Sequence, residues 1–214
     1  MRGLNCAFSK LKRGDKRMNL VERAQKILLQ PKQEWYVIQQ EPSTPAQLYP
    51  GYIIPLAAIG PIASIIGLAV VGIPTVLGTY RISIPYAVII AIVAFALELG
   101  SVYVLALVID ALAPSFASHK HFFQAFKLAT YCRTPLWVGG ILNLIPGISF
   151  LGLLLGLYGI YLLYLGLPPL MYTPPDKVVV YMVVIFVVML VISIIVGAII
   201  GAITTALLTS VRAF

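Results

Sequence analysis

Apolar residues gather in this chain into long runs, without the short amphipathic rhythms of a water-soluble core. Tyr49–Val71, Tyr86–Ile109, Thr134–Ile145, Ile148–Met171 and Val178–Leu208 are rich in Ile, Leu, Val, Ala and Gly, and Glu98 is the one charged residue within them. Runs of roughly 20 such residues cross a bilayer as helices, because a helix satisfies its own backbone polar groups where no water is present. The pattern predicts an all-α fold, a polytopic transmembrane helical bundle of five spans, preceded by a short N-terminal interfacial amphipathic helix.

The third run is the shortest. Leu136–Ile145 lies between Pro135 and Pro146 and covers about half a perpendicular crossing. It reaches full length only by starting near residue 121, with Phe122, Phe123, Phe126 and Ala129 on the approach and with Lys127 and Arg133 snorkelling to cytoplasmic water as interface anchors. A re-entrant segment is the competing reading, and it would put both termini on one side. Pro146-Gly147 makes the turn into the fourth run either way. The last run would be about 46 Å long at 1.5 Å per residue, so it must tilt, kink or emerge.

Ahead of the spans, Asn19 and Glu22 have capping-box spacing, and Leu20, Val21, Ala24, Ile27 and Leu28 recur on one helical face until Pro31 ends the helix. This helix is expected to lie along the inner headgroups with Trp35 and Tyr36 as interfacial anchors, the alternative being packing onto the bundle itself. Pro42, Pro45 and Pro50 predict an extended link into the first span. The domain plan is thus a basic, disordered extension over residues 1–17, a cytoplasmic helix and linker over 18–48, a membrane domain over 49–209 and a short end over 210–214.

Composition agrees, with 60% hydrophobic and 10% charged residues in 214. Soluble domains average roughly 45–50% and about 25%. Charge sets the orientation: nine of the fifteen Lys and Arg residues precede the first span, and five crossings would leave thirteen inside against Arg81 and Arg212 outside. That places the N-terminus in the cytoplasm and the C-terminus in the periplasm. The basic tail favours anionic lipid headgroups over nucleic acid, because Asp15, Glu22, Glu34 and Glu41 interrupt it and no base-stacking motif is present. Residues 1–17 lack the apolar run of a signal peptide. Cys6 and Cys132 do not have the spacing of a disulfide framework and are expected as thiols.

Within the membrane, Glu98 is the sharpest clue. An ionised group there costs roughly 3 kcal/mol on insertion scales, which the surrounding Ile, Leu, Val and Phe residues offset. It shares a face with Ala91, Ala94 and Ser101 and is expected to point inward, as structural glue or as an intramembrane polar site with Asp110 on the same span. Two small-residue stripes, Gly152, Gly156, Gly159 and Gly166 in the fourth span and Ser193, Gly197 and Gly201 in the fifth, predict close helix packing, within the chain or in a homo-oligomer. His119 and His121 have no nearby Cys or carboxylate for a metal. No zinc-protease, nucleophile-elbow or phosphate-loop motif occurs, so neither catalysis nor a cofactor is expected.

Val21-Glu22-Arg23-Ala24, Ile27-Leu28-Leu29, Pro31-Lys32 and Glu34-Trp35 resemble the amino-terminal pattern of bacterial members of the Yip family, integral membrane proteins named for interaction with Ypt/Rab GTPases. Ala111-Leu112-Ala113-Pro114 with Phe116, Lys127-Leu128 with Tyr131, and Thr134-Pro135 with Trp137 are similar to the middle of that domain, and the run from Leu157 to Pro168, followed by Lys177 and Tyr181, to its most recognisable segment. The resemblance covers roughly residues 20–200. It implies five spans, a cytoplasmic N-terminus and a bacterial inner membrane, and, for eukaryotic relatives, small-GTPase partners. About 48 residues precede the first span, which leaves little surface for a GTPase, and Met18 is an alternative start. The expected function is a non-catalytic scaffold, adaptor or membrane-organising protein, whose partners are the lipid bilayer, copies of itself or other membrane proteins. A small transporter or channel subunit using Glu98 is the alternative, with Pro55, Pro61, Pro135 and Pro146 opening backbone to a cavity.

Overall fold

The computed structural model describes residues 19–75 and 78–212. The extension over 1–17, Met18 and the last two residues of the C-terminal end therefore lie outside the described residues.

The described residues begin with two short helices, α1 (Leu20–Leu29) and α2 (Pro31–Gln40), joined at Gln30, where Pro31 removes the amide that would continue the first helix. Asn19 sits at the α1 N-cap, but its side chain makes no capping bond. The extended link expected from three prolines is confined to Glu41–Thr44. Pro45 instead starts a long helix, because Thr44 and Gln47 form a reciprocal capping box and proline at the first helical position needs no hydrogen-bond partner.

That helix, α3 (Pro45–Val71), widens to π-type turns at Tyr49–Ile53 and Gly67–Val71. It stops at Gly72, whose φ of 86° ends the coil in a conformation that costs glycine little. A small antiparallel hairpin follows, β1 (Ile73–Thr75) and β2 (Gly78–Tyr80), with Ile73 opposite Tyr80. Then come α4 (Ile84–Leu112), α5 (Phe122–Tyr131), α6 (Thr134–Gly139), 3-10 turns over Gly140–Leu144 and Pro146–Leu151, α7 (Gly152–Met171) and α8 (Pro175–Arg212).

Among the described residues, four helices are long and apolar enough to cross a membrane: Pro45–Val71, Ile84–Phe116, Pro146–Met171 and Pro175–Ala206. The all-α, multi-pass membrane class stands, and the count of five uninterrupted spans is corrected to four. The third segment is broken at Cys132 and Arg133 and ends in 3-10 turns. Pro135 removes an amide and Gly139-Gly140 weakens the helix, so no single coil runs through it.

The broken segment nevertheless joins opposite ends of the bundle. At one end, the hairpin face, β1 and the last turn of α3 pack on the turns at 140–151. At the other, the cap face, the His119 amide donates to the Met171 carbonyl at 2.8 Å, Ser118 donates to Thr173 at 2.9 Å and Phe116 stacks on Tyr181. The α1–α2 pair also packs on the cap face.

The core lies toward the cap face, where Trp35, Ile38, Phe126, Leu128, Leu163, Leu167 and Tyr181 are all buried. Toward the hairpin face, α8 leaves Val187, Val191, Ile194, Ile195 and Ile199 uncovered. Lipid is as apolar as these side chains, so exposing them there costs little.

Candidate functional site

Glu98 stands midway along α4, and its charge is met by a residue from the broken segment. Arg133 Nη1 donates to Glu98 Oε1 at 2.6 Å, and the Trp137 indole donates to the same oxygen at 2.8 Å. Arg133 and Trp137 are four residues apart, so the helical path past the break carries both to one face. Ser101, one turn beyond Glu98, accepts from Arg133 Nη1 at 2.8 Å and donates its one hydroxyl proton to the Glu98 carbonyl at 2.8 Å, with Glu98 Oε2 farther off at 3.4 Å. The Arg133 side chain is 6% exposed and the Glu98 side chain 25%. In a low-dielectric setting such a pair holds only if its geometry and its extra hydrogen bonds recover the desolvation cost, and Trp137 and Ser101 supply those bonds.

The expectation that Arg133 snorkels to water is therefore corrected: it turns inward because the carboxylate of Glu98 is its nearest counter-charge. Beside this pair, the Tyr52 and Thr134 hydroxyls share a hydrogen bond at 2.8 Å, and Tyr49 donates to the Leu99 carbonyl at 2.9 Å. The break in the third segment is thus tied by polar contacts to both α3 and α4.

A cavity of about 500 Å³ opens beside Glu98, between α3, α4, the α6 region and the middle of α8. Its walls are mostly small, including Ala57, Ala91, Ala94 and Gly139. The backbones framing it are in direct contact: a Cβ on Gly140 would fall 2.7 Å from the Gly60 Cα.

A second polar cluster closes the cap face. Arg23 Nη1 donates to Glu34 at 2.5 Å, its Nη2 donates to Glu41, and its guanidinium lies 5.9 Å from the Tyr131 ring centre. Burial opposes the Arg23 charge, yet the hydrogen bond to Glu41 and the fields of Tyr131, Glu41 and Glu34 outweigh it and hold its pKa above the ordinary value. Lys127 Nζ donates to the carbonyls of Ile38 at 2.9 Å and Glu41 at 2.5 Å. Lys127 is thus also corrected: it is buried, and it caps the C-terminus of α2, where orphan carbonyls and the helix dipole favour a cation.

The two aromatic residues expected at the interface part company. Trp35 is fully buried against Gly166, where an added Cβ would come 2.9 Å from the indole, and its ring meets Tyr131 edge-on. It is a core residue, because α2 docks on α7. Tyr36, on the opposite side of α2, is 60% exposed.

Asp110 is not brought to Glu98: twelve residues of α4 separate them by about 18 Å. Its Oδ1 is buried without a hydrogen-bond partner among the described residues. Of the small-residue stripes, Gly159 and Gly166 meet neighbouring segments, Gly159 with the Cys132 carbonyl oxygen 2.6 Å from where a Cβ would stand. Gly152, Gly156, Gly197 and Gly201 face open space within the chain, and Ser193 is exposed. Their expected role in packing within one chain is corrected, because among the described residues no neighbouring segment comes within 4 Å of a Cβ at those four glycines.

Among the described residues no group of three or more His, Cys, Asp or Glu side chains is placed to hold a metal ion. His119 lies against Tyr172 and His121 against Phe123. The residues that sequence reasoning missed are Trp137, Tyr52 and Thr134 around the break, and Arg23, Glu34 and Glu41 at the cap. Arg133–Trp137 spacing was a usable signal, whereas the Arg23 cluster gathers residues eleven and eighteen positions apart.

Comparison with known proteins fits this architecture. The chain is 29% identical over 142 residues to the inner membrane protein YohC of Escherichia coli K12, covering 64% of this chain and 73% of that one, and equally to YohC of E. coli O6:H1. No solved structure matches it. The Yip1 domain model matches residues 26–197, from α1 through most of α8, and this multi-pass membrane protein belongs to the Yip1 domain family.

Proposed function

We propose that this protein is a non-catalytic scaffold or adaptor of the bacterial inner membrane. The observation that carries the reading is that Glu98, the one charge within the apolar runs, holds two segments together through one of its carboxylate oxygens. Its Oε1 takes both Arg133 and Trp137, which ties the broken segment to α4. A relay or a hydrolase needs polar groups free to exchange protons or to attack, in reach of one another. Asp110 lies about 18 Å away along α4, and Ser101, the hydroxyl beside Glu98, is 3.4 Å from its carboxylate and bonds the Glu98 carbonyl at 2.8 Å instead.

The inner-membrane location is supported by the likeness to YohC, named as an inner membrane protein. The layout follows from charge: the cap face is cytoplasmic, the hairpin face and C-terminus periplasmic, and the broken segment serves as a fifth, odd crossing. The basic residues before α1 then meet anionic headgroups, and residues 18–48 form a cytoplasmic cap on a membrane domain spanning 49–209. Protein partners are copies of this chain or other membrane proteins.

Solute and proton flux in proteoliposomes tests the reading against its alternative. A scaffold gives no flux above empty vesicles, with Glu98→Gln changing only stability. Flux that Glu98→Gln abolishes in a folded protein establishes a transporter instead. Reporter fusions at the two termini test the layout, which fails if both ends report the same compartment.

A further inference from the structure

The cavity beside Glu98 has a shape and a polarity that specify a ligand class. Its wall on α4 runs from Ala87 to Glu98, about 16 Å at the helical rise, so the space is elongated and not spherical. It falls within the 300–1,000 Å³ usual for small-molecule sites. Between its ends the lining is apolar and small. At the inner end stand Glu98 and Trp137, and at the end nearer the hairpin face stand Ser64, Asn143 and Ser149.

Glu98 is only half used by the protein. Oε1 accepts two short hydrogen bonds, from Arg133 and Trp137, whereas Oε2 has only the Ser101 hydroxyl at 3.4 Å, whose proton is also shared with the Glu98 carbonyl at 2.8 Å. An ionised carboxylate offers about four acceptor positions, so Oε2 retains capacity for a donor arriving from the cavity that Glu98 lines. The charge is already matched by Arg133. A second cation would gain little from the neutralised pair and would meet the guanidinium. A second anion would be repelled by Glu98. A neutral donor gains a charge-assisted hydrogen bond without either penalty.

We propose that this cavity binds an elongated lipophilic alcohol, whose hydroxyl donates to Glu98 Oε2 while its apolar body lies along α4 among Ala87, Ala91, Ala94 and Pro61. The site goes beyond the scaffold reading and does not require it, since occupancy involves no chemistry and no transport. Such a ligand partitions into the bilayer first, so a site deep in the hydrocarbon is in reach of it.

The test uses the full-length protein in nanodiscs and a photoreactive long-chain alcohol carrying an aliphatic diazirine. Labelling is expected on peptides containing residues 57–68 and 87–98. Decanol competes, while decylamine and decanoate compete at least about tenfold less well, the difference of one charge-assisted hydrogen bond. Ala94→Leu, one turn from Glu98 on the cavity wall, lowers labelling about tenfold or more by the same measure. Where Ala94→Leu fails to fold, Gly152→Leu fills the cavity from the other wall, because a side chain there meets open space. Ile62→Ala, on the exposed side of α3, leaves labelling unchanged. Label spread over exposed helix faces and indifferent to both filling variants overturns the site. Equal competition by amine, carboxylate and alcohol overturns the ligand class.

Discussion

Arg133 Nη1 lies 2.6 Å from Glu98 Oε1 across thirty-five residues of sequence, and this contact joins the interrupted third segment to the middle of α4. A helix break inside a membrane protein exposes backbone groups that lipid cannot satisfy. Here the break falls where an ion pair, an indole and the hydroxyls of Ser101, Tyr52 and Thr134 converge, which holds it within protein.

Removing one partner of that pair leaves the other buried without a counter-charge. Glu98→Ala is expected to cost about 2–4 kcal/mol, somewhat below the figure for fully buried pairs because Glu98 is a quarter exposed. The double variant Glu98→Met with Arg133→Met is expected to cost less than Glu98→Met or Arg133→Met alone. Unfolding midpoints in detergent measure these variants, and strictly additive losses would show that the pair does not couple the segments.

Trp35 plugs the seam between α2, α5 and α7. Trp35→Ala is expected to cost about 3–5 kcal/mol, as large-to-small changes at filled core sites do. Tyr36→Ala, on the exposed side of the same helix, is expected to stay within about 0.5 kcal/mol. Comparable losses from the two would mean that α2 does not dock as described.

Lys127 fastens the end of α2 through two carbonyls. Lys127→Met keeps the stem and removes the donors, so the segment Glu41–Thr44 is expected to become about tenfold more accessible to limited proteolysis, the equivalent of one charged hydrogen bond. Hydrogen exchange over α2 is expected to rise in parallel. Unchanged cleavage would assign the docking of the cap to Arg23 and Trp35 alone.

Two glycines on α7 separate close approach from open space. Gly159→Ala places its methyl 2.6 Å from the Cys132 carbonyl oxygen and forces the broken segment to move, at an expected cost of about 1–3 kcal/mol. Gly156→Ala meets nothing and is expected to be neutral or to stabilise the helix by up to about 1 kcal/mol. Equal effects at the two positions would remove the contact between α7 and the break.

Much of the fold was legible from hydrophobicity alone. The four long helices fall on four of the five apolar runs because their lengths match the bilayer and few charges interrupt them. The third run was legible as an anomaly, from its ten residues between two prolines. Its path needed the structure: Pro135 and Gly139-Gly140 announce that a helix fails, but not which neighbours receive the exposed groups. For the cap, the break between α1 and α2 was readable at Pro31. That α2 is a helix docked by Trp35 was not, since an amphipathic segment buries equally well on lipid or on protein.

Composition and spacing along the chain thus determined the solvent, the class and the inward direction of Glu98, all of which follow from local sequence. Tertiary structure alone decided that Lys127 and Arg133 turn away from water, that Gly159 and Gly166 are contacts while Gly156 and Gly197 are not, and that a cavity opens between Gly60, Ala94 and Trp137. The physical reason is that a buried charge, or a missing side chain, acquires meaning from what stands opposite it. In this bundle those opposites lie some thirty to ninety residues away in sequence.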